Sequence, residues 1–322
     1  PGFIVPESGK SFEARLTVKH WQLRNLITPS CHDPNEVYYV SGTAINALNL
    51  KNGRSNVLMN DLPFEPRCIS SGFGYVLAGG VNHGHFALSK VRQDPIIDSF
   101  DRSSQLMFPE FNKNRIGANS LVDHGRPHSH HSFSLGGYIN NAITLYSTSP
   151  SEANAIICNN DRTLHIIRLT SESYAPEQVI QVPVPPNHAS ISPDKKTIAI
   201  VGDSSELYLL HAEEKPNWSR GCSSTKWTPV GASFNDSDCG FSSAFSPSGS
   251  LLAISSQDGL AFVYDTRYMP SLTRRPSSLT APRGAFRCLK FSNSYLDMLA
   301  ITEQFGRVHL VDTRNFSNSS VL

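Results

Sequence analysis

Residues 242–267 read SSAFSPSGSLLAISSQDGLAFVYDTR. A first apolar run, ending at Phe245, meets a Ser-Pro-Ser-Gly turn. A second run, LLAISS, ends at the tight turn Gln257-Asp258-Gly259, and a third, LAFVYD, follows. Runs of this length, separated by turn residues and rich in β-branched and aromatic side chains, predict strands in antiparallel succession. LAFVY is apolar at consecutive positions, so a strand here buries both of its faces.

The same two-strand phrase recurs six times along the chain. The copies are VYYVSGTAINALNL (37–50), YVLAGGVNHGHFALSKV (75–91), AIICNNDRTLHIIRL (155–169), TIAIVGDSSELYLLHA (197–212), LLAISSQDGLAFVYDTR (251–267) and MLAITEQFGRVHLVDTR (298–314). Their second strands begin near Ala44, Gly84, Thr163, Glu206, Leu260 and Arg307, so the steps are 40, 79, 43, 54 and 47 residues. A period of roughly 40–45 residues is the signature of propeller blades. The long step holds either one blade with an insertion or two blades, one of them degraded. One four-stranded sheet cannot cover its own two faces, whereas sheets stacked around an axis cover each other. The expectation is one all-β domain over 1–322, with six repeats counted and seven blades favoured. The seventh is sought in 92–137, an insertion or degraded blade, or shared between the termini. Glu13 to Lys19 (EARLTVK) is the candidate ring-closing strand, and 213–240 and 268–284 are expected to project as inserts.

These repeats resemble the WD40 family, most closely in 242–267. In that family the turn between the second and third strands carries an Asp that hydrogen-bonds within its blade; Asp258 and Asp161 match that position. The closing Trp-Asp becomes Tyr264-Asp265 and Val311-Asp312, and the Gly-His at the head of the repeat is missing. Within 281–316, "GAFR", "LKFS", "DMLAITEQ" and "VHLVDTRNF" resemble the C-terminal segment of a group of fungal WD40 proteins that carries a domain of unknown function. That group includes a substrate receptor of the GID (CTLH-type) ubiquitin ligase, which captures proteins by their N-terminal residues. The resemblance implies recruitment of degradation substrates to a multi-subunit ligase. The stretches ending at Arg267 and Arg314 also look like degraded W-D-x-R motifs of cullin-4 receptors; a structural role for that Asp and Arg is favoured.

Composition excludes several classes. Twenty-eight basic and 27 acidic residues nearly cancel and are scattered, which argues against a nucleic-acid track. No apolar run has the length of a membrane helix. The six cysteines form no C-x-x-C pair; Cys68, Cys158 and Cys288 lie in apolar runs and read as small buried hydrophobes of a reducing compartment. The expected location is cytoplasmic or nuclear. G-x-S-x-G, G-x-G-x-x-G and the P-loop motif are absent, so neither enzyme chemistry nor a cofactor is expected. The tract His124-Gly-Arg-Pro-His128-Ser-His130-His131 reads as a polar loop rather than a metal site.

The candidate binding residues lie in the turns between second and third strands, which gather on one face of a propeller. They are Asn82, His83, Asn160, Asp161, Asp203, Asp258 and Gln304, with Arg283 and Arg287 near the start of the last repeat adding charge. Asn and Asp favour tight turns intrinsically, so each also has a purely local reason to be there. Together they predict a hydrogen-bonding rim for an extended peptide, with other proteins, ligase subunits among them, as partners. The alternative is an interaction scaffold in a complex unrelated to ubiquitin.

Overall fold

The computed structural model describes residues 9–14, 17–18, 25–91, 128–149, 152–213, 226–234, 238–267, 277–280, 284–293 and 297–322. These residues form six four-stranded antiparallel sheets, each built from four strands consecutive in the chain. We call the strands of a sheet a to d. The first sheet contains β1 (Ile27–Pro29), β2 (Glu36–Ser41), β3 (Ala44–Asn49) and β4 (Ser55–Met59). The second contains β5 (Pro66–Gly72), β6 (Tyr75–Gly80), β7 (His85–Lys90) and β8 (His131–Ser134), and the third β9 (Asn140–Ser149), β10 (Glu152–Asn159), β11 (Thr163–Leu169) and β12 (Tyr174–Gln181). The fourth contains β13 (Pro186–Ile191), β14 (Thr197–Gly202), β15 (Ser204–Glu213) and β16 (Lys226–Phe234). The fifth contains β17 (Gly240–Phe245), β18 (Leu251–Ser256), β19 (Leu260–Asp265) and β20 (Ser277–Thr280), and the sixth β21 (Phe286–Phe291), β22 (Met298–Glu303), β23 (Val308–Asp312) and β24 (Ser319–Val321).

The a strands β1, β5, β9, β13, β17 and β21 touch one another in that order, so they form the inner wall of a ring and the sheets radiate as blades. The b and c strands carry the apolar load. Along β6 every residue is buried. Apolar clusters seal the successive junctions: Tyr38 and Ile45 with Ile69 and Val76, then Leu77 and Phe86 with Ile143 and Ile157. Next come Ile156 and Leu164 with Ile198 and Leu210, Val201 and Leu207 with Leu252 and Phe262, and Ala253 and Val263 with Phe286 and Leu299. Each fully buried side chain of this kind contributes about 1.5–3 kcal/mol. Cys68 and Cys158 sit inside these clusters, whereas Cys288 is only half-buried.

Each of the six repeats becomes the b and c strands of one blade, and the described residues contain six blades without a seventh. The 79-residue step is one blade with a long insertion: β8 pairs with β7 across it, Leu88 facing His131 and His85 facing Ser134. The rest of 92–137 lies outside the described residues up to 127. Two segments expected to project instead supply outer strands, β16 and β20, and so complete their blades. The last blade takes its d strand from Ser319–Val321, not from residues 13–19. The described part of that stretch straps the first blade: Val18 is buried in its core, and Thr17 Oγ1 accepts the Gly42 N–H at 2.5 Å.

Candidate peptide-binding face and central channel

The b–c turns and the connectors between blades share one end of the ring, because the first N–H beyond strand b donates to the connector that opens the same blade. Asn160 donates to Ile139 O at 2.9 Å, Asp203 to Pro185 O at 3.1 Å, Gln257 to Cys239 O at 2.9 Å and Gln304 to Ala285 O at 2.9 Å. Backbone groups that would be orphaned at the strand end are thereby satisfied. The face carries Asn82, His83, Asn160, Asp161, Asp203, Asp258 and Gln304, as the turn chemistry predicts.

Their local settings differ. Asn82 and His83 are exposed and both hold left-handed backbone, φ 58° and 49°, ahead of Gly84 at 58°. A Cβ on Gly84 would lie 2.2 Å from Gly136 O, so this turn needs glycine. Side chains held in such a sparsely populated region are a recognised mark of functional turns. Asp161 accepts from Thr163 Oγ1, and Thr163 also meets His165 Nε2 at 3.1 Å. Burial pushes the His165 imidazole pKa down, against the pull of Asp161. Asp258 accepts from Ser256 Oγ, so both aspartates bond within their own blades. The Asp203 carboxylate accepts from Asn187 Nδ2 at 2.9 Å yet stays exposed, as do Asp258 and Gln304.

Arg283 lies outside the described residues. Arg287 is not on the rim; it is buried in β21, its guanidinium 4.8 Å above the Phe241 ring of the neighbouring blade. A register shift at the start of the a strand explains this. The pairing slips at Arg67, Asn141, Asn187, Phe241 and Arg287, one in each of five consecutive blades. A bulge turns a side chain out of its pleat. Here Asn141 reaches Pro186 O at 2.9 Å and Asn187 reaches Gly240 O at 3.0 Å, each on the following blade.

Below this layer runs a channel of about 350 Å³ to which all six a strands contribute. Its wall is rich in hydroxyls. His188 Nδ1 accepts the Ser243 N–H at 3.3 Å and lies 3.2 Å from Ser243 Oγ, which meets Ser190 Oγ at 2.9 Å. The sequence reading missed these residues. Their signal was the alternation in H-A-S-I-S (188–192), where Ala189 and Ile191 face the apolar core and His188 and Ser190 the opposite side.

The Asp-x-Arg endings close on themselves. Arg267 Nε donates to Asp265 Oδ1 at 2.9 Å, and Arg314 Nε to Asp312 Oδ1 at 3.1 Å. That is a structural use of both motifs. In the histidine tract, the His128 N–H donates to Leu58 O at 2.7 Å and burial lowers the His130 pKa. Among the described residues no three His, Cys, Asp or Glu side chains are grouped to hold a metal ion, and no helix is long and apolar enough to cross a membrane.

Comparison with known proteins agrees with this geometry. Residues 284–322 match an uncharacterised protein domain, DUF2415. An uncharacterised Saccharomyces cerevisiae protein is 25% identical over 97% of the chain, and the chain spans 54% of its length. An uncharacterised Schizosaccharomyces pombe protein is 26% identical over 95% of the chain and 77% of its own length. Among solved structures, Chaetomium thermophilum Sqt1 bound to the N-terminus of ribosomal protein L10 superposes with a TM-score of 0.58 at 15% identity, covering 94% of this chain and 75% of that one. A chain of the mitotic checkpoint complex gives 0.61 at 12%, covering 99% and 85%. Saccharomyces cerevisiae Sqt1 gives 0.59 at 13%, covering 92% and 72%. By fold, this chain is a WD40-like β-propeller, with six blades among the described residues.

Proposed function

We propose that the chain is a protein-binding propeller that holds the N-terminal segment of a substrate at the b–c face and presents it to a multi-subunit ubiquitin ligase. The observation that carries this reading is the placement of Asp161, Asp203 and Asp258 on the same turn of three consecutive blades. Carboxylates gathered at one mouth attract a cationic α-amine, whose ordinary pKa of about 7.7–8.0 leaves it largely charged at neutral pH. Each aspartate already has a partner in its own blade, so a ligand meets preorganised acceptors. The resemblance of the last repeat to the fungal group with a GID-type receptor supplies the ligase context, and the Sqt1 structure is an instance of a similar fold holding a protein N-terminus.

The test uses the full chain and fluorescent peptides with free or acetylated N-termini. Saturable binding of the free form, lost on acetylation and weakened in Asp203→Asn and Asp258→Asn, is the expected result. Capture of the full-length protein from its own cells, with ligase scaffold subunits in stoichiometric amounts, is expected alongside. Peptide binding that ignores acetylation refutes N-terminal recognition. Recovery of a stable complex without ligase subunits leaves a scaffold.

A further inference from the structure

The junction between the sixth and first blades is built unlike the other five. No apolar cluster spans it among the described residues; it holds a groove of about 460 Å³. One wall is Leu26, Ile27 and Val37 of the first blade, and Ile27 is 61% exposed. The other wall is the outward side of β21 and β22, with Cys288, Ala300 and Thr302. At the inner end Cys288 Sγ donates to Asn25 Oδ1 at 3.0 Å, pinning the two blades together. The groove shares Thr28, Cys288 and Lys290 with the lining of the central channel.

Charge selects the occupant. Among the described residues around the groove, Lys290 is the exposed cation and there is no carboxylate. Arg287 also lines the groove, but its guanidinium is turned onto Phe241 of the fifth blade. We propose that this junction is a second binding site, independent of the b–c face, and that it takes an extended partner segment with alternating apolar and acidic side chains. Successive side chains of an extended segment point to opposite sides, about 3.3 Å apart along the chain. One set packs on Ile27, Val37 and Ala300, replacing the packing that the other junctions obtain from a neighbouring blade. The other set brings carboxylates to Lys290, where partial exclusion of water strengthens the pairing. A basic segment is repelled by Lys290.

The experiment measures fluorescence anisotropy of the full chain with blocked peptides of about eight residues. One alternates glutamate with leucine, a second lysine with leucine, and a third glutamate with serine. The expected result is saturable binding of the first alone, about tenfold weaker in Lys290→Glu, a change of roughly 1.4 kcal/mol. Asn25→Cys, oxidised to a disulfide with Cys288, is expected to block binding until reductant is added, and Asp258→Asn to leave it unchanged. Lys290→Glu alters an exposed side chain, so the test stands even where Asn25→Cys fails to fold. Equal binding of the lysine peptide overturns the proposal, as does the absence of saturable binding or indifference to Lys290→Glu. Self-association of the chain that the glutamate–leucine peptide displaces reassigns the groove to a second copy and also overturns it.

Discussion

Replacing Asn159 by Ala tests how the b–c face is tied to the ring. Asn159 ends β10 and is fully buried. Its Oδ1 accepts the Tyr138 N–H at 3.0 Å and the Asp161 N–H at 3.1 Å. Its Nδ2 donates to Gly136 O at 3.2 Å and to Asn140 Oδ1 at 3.1 Å, and Asn140 in turn donates to His85 O at 2.8 Å in the second blade. One carboxamide thus joins a b–c turn, an inter-blade connector and the neighbouring blade. Four hydrogen bonds at about 1 kcal/mol net each, with Asn140 left buried and short of a donor, predict a loss of about 3–5 kcal/mol. That is a large share of a total stability of about 5–15 kcal/mol. Urea unfolding followed by tryptophan fluorescence is expected to show a midpoint lower by roughly 1 M or more at unchanged slope. Asn160→Ala is the control. It loses only the bond from Asn141 Nδ2, at 3.0 Å, and Asn141 keeps Pro186 O, so its cost is expected below about 1 kcal/mol. Equal losses in the two variants, or less than about 1 kcal/mol for Asn159→Ala, would refute the reasoning.

Gly202→Ala places a Cβ 2.3 Å from Pro185 O, the same carbonyl that anchors the Asp203 N–H. Overpacking against backbone costs about 1–3 kcal/mol, so the Tm is expected to fall by several degrees and N-terminal peptide binding to weaken with it. Tyr146 is 3% exposed, and burial, aided by the charge of Glu177, drives its phenol pKa far above the ordinary range. The unfolded chain releases this proton near pH 10 and the folded chain holds it. Its contribution is therefore complete below pH 10 and is lost as pH rises above that value. Tyr146→Phe is expected to flatten the decline of Tm between pH 9 and 11 (roughly); an unchanged decline would assign it to other groups.

The blades were legible because their cause is local. Six short apolar runs, each followed by a turn rich in Asn, Asp or Gly and a second run, dictate strand pairs whatever surrounds them, and strands apolar on both sides demand neighbours on both sides. Asp161 and Asp258 were legible for the same reason: each bonds a hydroxyl two residues away. The d strands were not. β16 and β20 lie on the outer edge of the ring, where no apolar pattern is required, so their segments read as projecting inserts.

What the sequence determined by itself is thus the all-β class, the six repeats and the residues of the b–c turns, all set by contacts within a few residues along the chain; the blade count, for which seven was favoured, was not among them. Tertiary structure alone decided the rest. Arg287 reads as a rim charge, but the bulge at the start of β21 turns it inward onto Phe241, 46 positions earlier in the chain. The His188–Ser243 contact and the Asn187 bridge to Gly240 likewise join consecutive blades. The open groove between Ile27 and Ala300 exists only because the last blade comes round to face the first. Such features depend on how the ring closes, and ring closure is a property of all six blades together rather than of any one repeat.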